Sequence, residues 1–127
     1  MRLDKWQALH SFWSGFNIPA YDENSVFSGY DDSPEMPYIT YEAAVGSIDS
    51  DVLLSASLWY KSTSWADISR KAEEISEQIG LGGKLVPYDG GAIWIRRGQP
   101  FAQRMSGEKD SVRRIYLNVS AEYISND

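Results

Sequence analysis

The sequence has 127 residues, 43% of them hydrophobic and 24% charged, which is typical of a folded chain large enough for one domain. It contains no cysteine, and this excludes disulfides, thiolate catalysis and zinc–thiolate sites. Its formal charge is −6, and because phosphate backbones repel a net negative protein, we do not expect a dedicated nucleic-acid binder.

The first sixteen residues predict an amphipathic helix. Trp6, Leu9, Trp13 and Phe16 follow one another at spacings of three, four and three, which places them on one helical face. Pro19 cannot continue a helix, so we expect the helix to end before it.

A long connection and a hairpin are predicted next. Residues 17–37 contain three prolines and a cluster of Asp, Glu and Ser, and we expect a long loop there. Residues 38–45 and 52–60 alternate apolar and polar side chains, as half-buried strands do. The turn-forming residues between them predict an antiparallel hairpin.

The stretch SLWYKSTSWADISRKAEEISEQIG, residues 57–80, leads from the second strand into another helix. Ser64 stands where an N-cap is expected, and Asp67 favours the positive end of the helix. Gly80 is the expected left-handed stop, with Leu81 folding back onto the helix. The predicted buried face consists of side chains spaced three and four apart, namely Trp65, Ile68, Ala72, Ile75 and Ile79.

Three more strands are predicted in the C-terminal part. Residues 84–97 form a hairpin that turns at the Asp-Gly dipeptide 89–90, and Pro87 places its first strand at a sheet edge. Residues 98–111 contain turn-forming glycine and proline, and we expect a second long loop there. The last strand, residues 112–124, alternates apolar and polar side chains.

The predicted order is therefore helix, strand, strand, helix, strand, strand, strand. This order indicates a single α+β domain over residues 1–127, in which two helices pack on one face of a mostly antiparallel sheet of about five strands. The other sheet face would be an aromatic and polar surface typical of protein binding. An equally good interpretation is that residues 17–37 cover it. The predicted members of this face are Thr40, Ser55, Ser57, Trp59, Trp94, Arg96, Tyr116 and Asn118.

Reactive side chains are few. His10 is the only histidine, so with no cysteine the chain cannot assemble a nucleophilic triad or a histidine-based metal site by itself. The GLGGK stretch at residues 80–84 follows a predicted helix instead of opening one, and a helix stop explains it better than a phosphate loop does. We expect no catalytic residues, no enzyme activity, no cofactor and no metal.

Three sequence phrases resemble a known family. FNIPAYDENSVF at residues 16–27, MPYITYE at 36–42 and SLWYKSTSWADISRKAEEI at 57–75 resemble the tail terminator (tail completion) proteins of long-tailed bacteriophages and prophages. With the order of helices and strands, the resemblance extends from about Trp6 to Tyr123. It implies a ring, usually of six copies, that caps the head-proximal end of the tail tube, stops tube polymerisation and allows the head to join.

The resemblance also implies partners and a location. The partners would be other copies of the chain, the tail tube protein and a head-completion or connector protein. DNA would pass through the lumen without specific binding, and no membrane would be involved. The protein would assemble in the host cytoplasm and then belong to the virion, which agrees with first residues that lack the apolar core of a signal peptide.

Contact residues can be predicted on the aromatic face and in the loop at residues 98–111. The candidates are Trp59, Trp94, Arg96, Phe101, Arg104, Met105 and Tyr116. For each candidate, packing within the fold or a loop without a partner is a competing explanation. Two other functions remain open: a head–tail connector or minor capsid (neck) protein, and a non-viral soluble protein-binding module.

Overall fold

Apolar residues recur at every second position in the strands and at every third or fourth position in the helices. Each element therefore buries one apolar face. The computed structural model describes residues 3–24, 34–47, 50–106 and 108–125. The elements in chain order are α1 (Lys5–Trp13) with a 3₁₀ turn (Ser14–Phe16), β1 (Ala20–Asp22), β2 (Tyr38–Tyr41), β3 (Asp51–Lys61), α2 (Ala66–Ile79), β4 (Lys84–Tyr88), β5 (Gly91–Met105) and β6 (Val112–Ser125).

The strands form a six-stranded sheet in the order β1-β2-β3-β6-β5-β4. β1 is parallel to β2, and the other neighbouring pairs are antiparallel. This confirms the predicted α+β fold with two helices and a mostly antiparallel sheet, although the sheet has six strands instead of five. The predicted hairpin of β4 with β5 forms, and β4 lies at the sheet edge as Pro87 predicts. β2 pairs antiparallel with β3 as predicted, but only over Tyr38–Tyr41, and residues 42–45, which were predicted to continue this strand, lie outside it.

The core lies between the helices and one face of the sheet. Trp13 of α1 is fully buried, stacks at 6.4 Å on Tyr41 and meets the Phe12 ring edge-on at 4.8 Å. These aromatic contacts fix α1 on the sheet. Nine of the ten predicted inward-facing residues of the last strand and of α2 are buried in the same cluster: Ile115, Leu117, Val119, Ala121, Tyr123, Ile68, Ala72, Ile75 and Ile79. The tenth, Trp65, is only partly buried and packs against this cluster.

Two predicted helical contacts are wrong. Trp6 is 54% exposed, because it lies in the first turn of α1. Asp4 caps this turn, and its side chain accepts a hydrogen bond from the Gln7 N–H. Leu81 is 99% exposed and does not fold back onto α2. Gly80 does end α2 with a positive φ of 78°, and its N–H donates to the Ser76 carbonyl at 3.0 Å.

The start of α2 differs slightly from the prediction. The helix begins at Ala66, and Trp65 occupies the N-cap position without a side-chain cap. Ser64 still satisfies one N–H group, since its Oγ accepts a hydrogen bond from Ala66 at 3.0 Å. Asp67 pairs with Arg70 at 3.0 Å.

Both predicted long loops contain strand residues. Residues 20–22 within the 17–37 connection form β1, while residues 25–33 lie outside the described part of the chain. The loop predicted at 98–111 is wrong for residues 98–105, which continue β5. The reason is that β6 provides ladder partners for residues 102–105 beyond an irregularity in the pairing, so the strand resumes after its turn-forming residues.

Candidate protein-interaction face

The sheet face turned away from the helices is called the outer face here. Along each strand its residues alternate with those that face the helices, and directly paired residues lie on the same face. Thr40 and Ser57 are such a pair, and Trp59 and Arg114 are another. The outer face includes Tyr38, Thr40, Leu53, Ser57, Trp59, Leu85, Trp94, Arg96, Arg114, Tyr116, Asn118 and Glu122.

One end of the outer face is organised around Trp59. Its Nε1 donates to Thr40 Oγ1 at 2.9 Å, and the Arg114 guanidinium carbon lies 4.8 Å from its ring centroid. Arg114 Nε donates to Ser57 Oγ at 3.1 Å. The hydroxyls of Thr40 and Ser57 are thereby hydrogen-bonded, which explains how these two polar residues can be buried. Tyr116 belongs to the same group, with its ring centroid 5.9 Å from the Arg114 guanidinium.

The other end is organised around Trp94. Its Nε1 donates to the Gly82 carbonyl at 2.8 Å, and the Arg96 guanidinium lies 4.2 Å from its ring centroid. Arg96 also pairs with Asp51 at 2.7 Å and with Glu122 at 3.6 Å. Each end of the outer face therefore carries a tryptophan stacked with an arginine, held by hydrogen bonds to its surroundings.

Exposed leucines extend this surface. Leu53 is 81% exposed and Leu85 is 62% exposed, and their strand partners are Ser120 and Trp94. A shallow cavity of ≈ 250 Å³ lies between the two tryptophan ends, lined in part by Leu53, Tyr116 and Asn118. Exposed apolar side chains next to ordered aromatic ones make this face suitable for contact with another protein.

The seven predicted contact residues fall into two places. Trp59, Trp94, Arg96 and Tyr116 lie on the outer face, and Met105 joins them because it is paired with Arg114. Phe101 and Arg104 instead line a groove of ≈ 260 Å³ between α2 and β5. In this groove Arg104 Nη2 donates to Ser69 Oγ at 3.3 Å, and its guanidinium lies 5.1 Å from the Trp65 ring centroid.

The alternative prediction was that residues 17–37 cover the outer face. It concerns mainly residues 25–33, which lie outside the described part of the chain. Arg114, Leu53 and Leu85 are members of the face that the sequence analysis did not select. Only the strand register identifies these three residues as members of the face. Each is paired across the sheet with a predicted member of the face or with a small polar residue. That register becomes visible only in the folded sheet.

His10 contributes a structural contact. Its Nδ1 lies 2.9 Å from the Tyr41 hydroxyl, and burial together with the charge of Asp22 raises the pKa of Tyr41. Within residues 3–24, 34–47, 50–106 and 108–125 there is no group of three or more acidic or histidine side chains that could hold a metal ion. Neither helix in this part of the chain is long and apolar enough to cross a membrane.

Comparison with known proteins gives a likeness in fold. No protein-family profile matches the sequence, and no curated protein matches it. Among solved structures, a chain of "Virion of native gene transfer agent (GTA) particle" is similar in fold, with a TM-score of 0.55 and 19% sequence identity. The similarity covers 87% of this chain and 83% of that chain.

Proposed function

We propose that this protein is a virion structural protein that acts as a tail terminator. In this role it forms a ring on the head-proximal end of the tail tube, stops tube polymerisation and allows the head to join. The observation that carries the proposal is the fold likeness, over most of both chains, to a chain from a gene transfer agent virion. The three sequence phrases that resemble tail terminators support the finer assignment.

The outer face suits a subunit that works through contacts. In a closed ring of identical subunits, each copy presents two different patches to its neighbours and further surfaces to the proteins above and below. Trp, Tyr and Arg contribute most strongly to such contacts. The Trp59 and Trp94 groups are therefore proposed as contact sites for another virion protein, with Leu53 and Leu85 adding apolar area.

The charge of the chain is compatible with a DNA channel. With 18 acidic and 12 basic residues the protein repels phosphate, so DNA could pass through a ring of such subunits without being retained. A strongly basic lumen would instead bind the genome and slow its passage. The proposed partners are accordingly other copies, the tube protein and a head-completion protein, without specific DNA binding.

The deciding experiment is electron microscopy of induced lysates from a prophage that lacks this gene, with a plasmid-borne copy as the control. Overlong tail tubes without heads are expected, and the plasmid copy should restore tails of normal length. Headless tails of normal length would favour a head–tail connector acting after termination. Ordinary infectious particles would contradict both assembly functions and favour a protein-binding module.

A further inference from the structure

We propose that the groove between α2 and the second half of β5 is a docking site for an extended, acidic segment of a different protein. The segment adds a strand to the open edge of β5 and places its carboxylates against Arg97 and Arg104. This surface is separate from the outer face, and the inference does not depend on the tail-terminator function. Three features of the described residues lead to it: the course of the groove, the open strand edge and the state of the arginines.

The groove follows the boundary between α2 and β5. Its cavity of ≈ 260 Å³ is lined in part by Ser69, Ala72 and Phe101. Phe101 and Ser76 also line an adjoining cavity of ≈ 520 Å³, which extends to the exposed Leu81 just beyond the end of α2. The 14 residues of α2, at about 1.5 Å per residue, span roughly 21 Å, the length of about six residues of extended chain.

The second half of β5 has an open edge beside this groove. β4 pairs with β5 only along Gly91–Ile95, and no other strand in the described part of the chain pairs with residues 102–105 on that side. Successive side chains of a strand point to opposite faces, yet residues 101–104 all line the groove, so the groove runs along the strand edge.

This edge offers backbone groups to an incoming strand. In an antiparallel ladder every second residue directs its N–H and C=O to the same side. Two of residues 102–105 therefore direct these groups away from β6, towards the open edge. Because residues 102–104 are also exposed, an extended segment from another molecule can pair with them.

Two arginines along the groove have no acidic partner among the described residues. Arg97 Nη1 donates to Ser76 Oγ at 2.9 Å, and Arg104 Nη2 donates to Ser69 Oγ at 3.3 Å. The exposed Glu73 is the one carboxylate among the described residues that line the groove. A guanidinium has five N–H donors, so both arginines keep donors for a carboxylate, and the site favours a segment with acidic side chains.

Arg104 is held in place by Trp65 at the start of α2. The guanidinium carbons of Arg104 and Arg113 lie 5.1 Å and 5.4 Å from the centroid of this ring. Arg113 is itself fixed, since its Nη2 donates to the Thr63 carbonyl at 2.7 Å. The stacked ring orders Arg104 before a partner binds, which lowers the entropic cost of the contact.

The strand edges of a second copy fit this groove poorly, which favours a different protein as the partner. Two β5 edges paired symmetrically would place the Arg104 side chains of both copies opposite or diagonal to each other, where like charges repel. β4 carries Lys84 and contains Pro87, which has no N–H to donate. β1 has three residues, fewer than the groove accommodates, and it directly follows Pro19.

A peptide titration of the full-length chain, followed by NMR, tests the inference. The probe is a capped synthetic peptide of about eight residues in which Glu and Val alternate, long enough for the groove. Its matched control has Lys in place of every Glu. The Glu peptide should shift the amide resonances of residues 101–104 and slow hydrogen exchange at the two edge-directed amides of residues 102–105. The Lys peptide should change neither.

Charge reversal tests the recognition by arginine. Arg104→Glu should weaken binding of the Glu peptide by about tenfold, roughly the loss of one charge-assisted contact, and should allow the Lys peptide to bind. Arg70→Glu is the matched control, because it changes the net charge by the same amount. The Arg70 side chain is 75% exposed and paired with Asp67, so this variant should bind the Glu peptide as the wild type does.

Three results would overturn the recognition of an acidic segment. They are no binding of the Glu peptide up to about 1 mM, equal binding of the two peptides, and equal loss of binding in the two arginine variants. Concentration-dependent protection of residues 102–105 without peptide would overturn the assignment to a different protein, because a second copy would then occupy the edge. None of these results affects the tail-length phenotype of the deletion, which alone decides the proposed function.

Discussion

Arg96 stacks on Trp94 with 4.2 Å between its guanidinium carbon and the ring centroid, and the same guanidinium pairs with carboxylates from two neighbouring strands. These carboxylates belong to Asp51 on β3 and Glu122 on β6. One arginine thus links three strands on the outer face while it holds an aromatic ring in place. The ring is ordered before any partner binds, which lowers the entropic cost of a contact.

The first prediction concerns Trp94→Asp. The substitution removes the hydrogen bond to Gly82 and the stacking on Arg96, so we expect a stability loss of about 1–2 kcal/mol with an unchanged circular dichroism spectrum. Self-association or binding to tail tubes should weaken, as measured by sedimentation. Trp6→Asp, at a 54% exposed position on α1, is the control and should leave assembly unchanged. Global unfolding of the Trp94 variant would mean that this residue serves the core.

The second prediction compares two apolar residues on adjacent strands. Ile95 is fully buried and Leu85 is 62% exposed. Ile95→Ala should lower the free energy of unfolding by about 2–5 kcal/mol, because it leaves a cavity in the core. Leu85→Ala should change it by less than about 0.5 kcal/mol. Urea unfolding followed by tryptophan fluorescence measures both, and similar losses would contradict the assignment of the two sheet faces.

The third prediction concerns alkaline pH. Burial, with a smaller contribution from Tyr88, raises the pKa of Tyr123 to about 12. In the unfolded chain the phenol ionises near pH 10, so the neutral Tyr123 contributes its full stability below about pH 10 and loses it as the pH rises towards 12.

Tyr123→Phe should show a smaller loss of stability between these pH values than the wild type. At neutral pH the variant should be less stable by about 1 kcal/mol, because the hydroxyl donates to the Ala44 carbonyl at 2.9 Å. Urea unfolding across the pH range measures both effects. Parallel stability profiles for the two proteins would show that this phenol is not responsible.

The fourth prediction compares two adjacent glycines. Gly83 has a φ of +85°, and a Cβ there would lie 2.7 Å from the Ile95 carbonyl oxygen, whereas a Cβ on Gly82 meets nothing within 4 Å. Gly83→Ala should therefore cost roughly 1–3 kcal/mol, and Gly82→Ala less than about 0.5 kcal/mol. Thermal unfolding distinguishes them, and equal melting temperatures would refute the strained geometry at Gly83.

The predictable parts of the fold are those in which burial imposes a period. Residues 115–123 alternate between the core and the outer face, and α2 buries every third or fourth residue. Both elements can therefore be recognised from the spacing of apolar residues in the sequence. The hairpin turn at 89–90 is equally legible, because Asp-Gly suits the backbone of a tight turn. In these segments local chemistry and tertiary structure agree.

The parts that sequence reasoning missed are those in which tertiary contacts override local signals. Gly98 and Pro100 suggest a loop, yet the ladder with β6 resumes at Ala102 and extends the strand. β1 has three residues and carries too little pattern to be recognised. The candidate contact residues were chosen by residue type, but their division between the outer face and the groove depends on strand register, which no single segment encodes.

The irregularity in β5 determines where the chain can tolerate insertions and deletions. Arg97 pairs with Val119 and Ala102 pairs with Leu117, so residues 98–101 stand opposite the single residue Asn118. Insertions or deletions within 98–101 can be absorbed there while the ladders on both sides keep their alignment. The same change between residues 92 and 96 would turn buried side chains outwards. Residues 98–101 are therefore where homologous chains can differ in length and still keep the strand register. Such a change would move Phe101 within the groove.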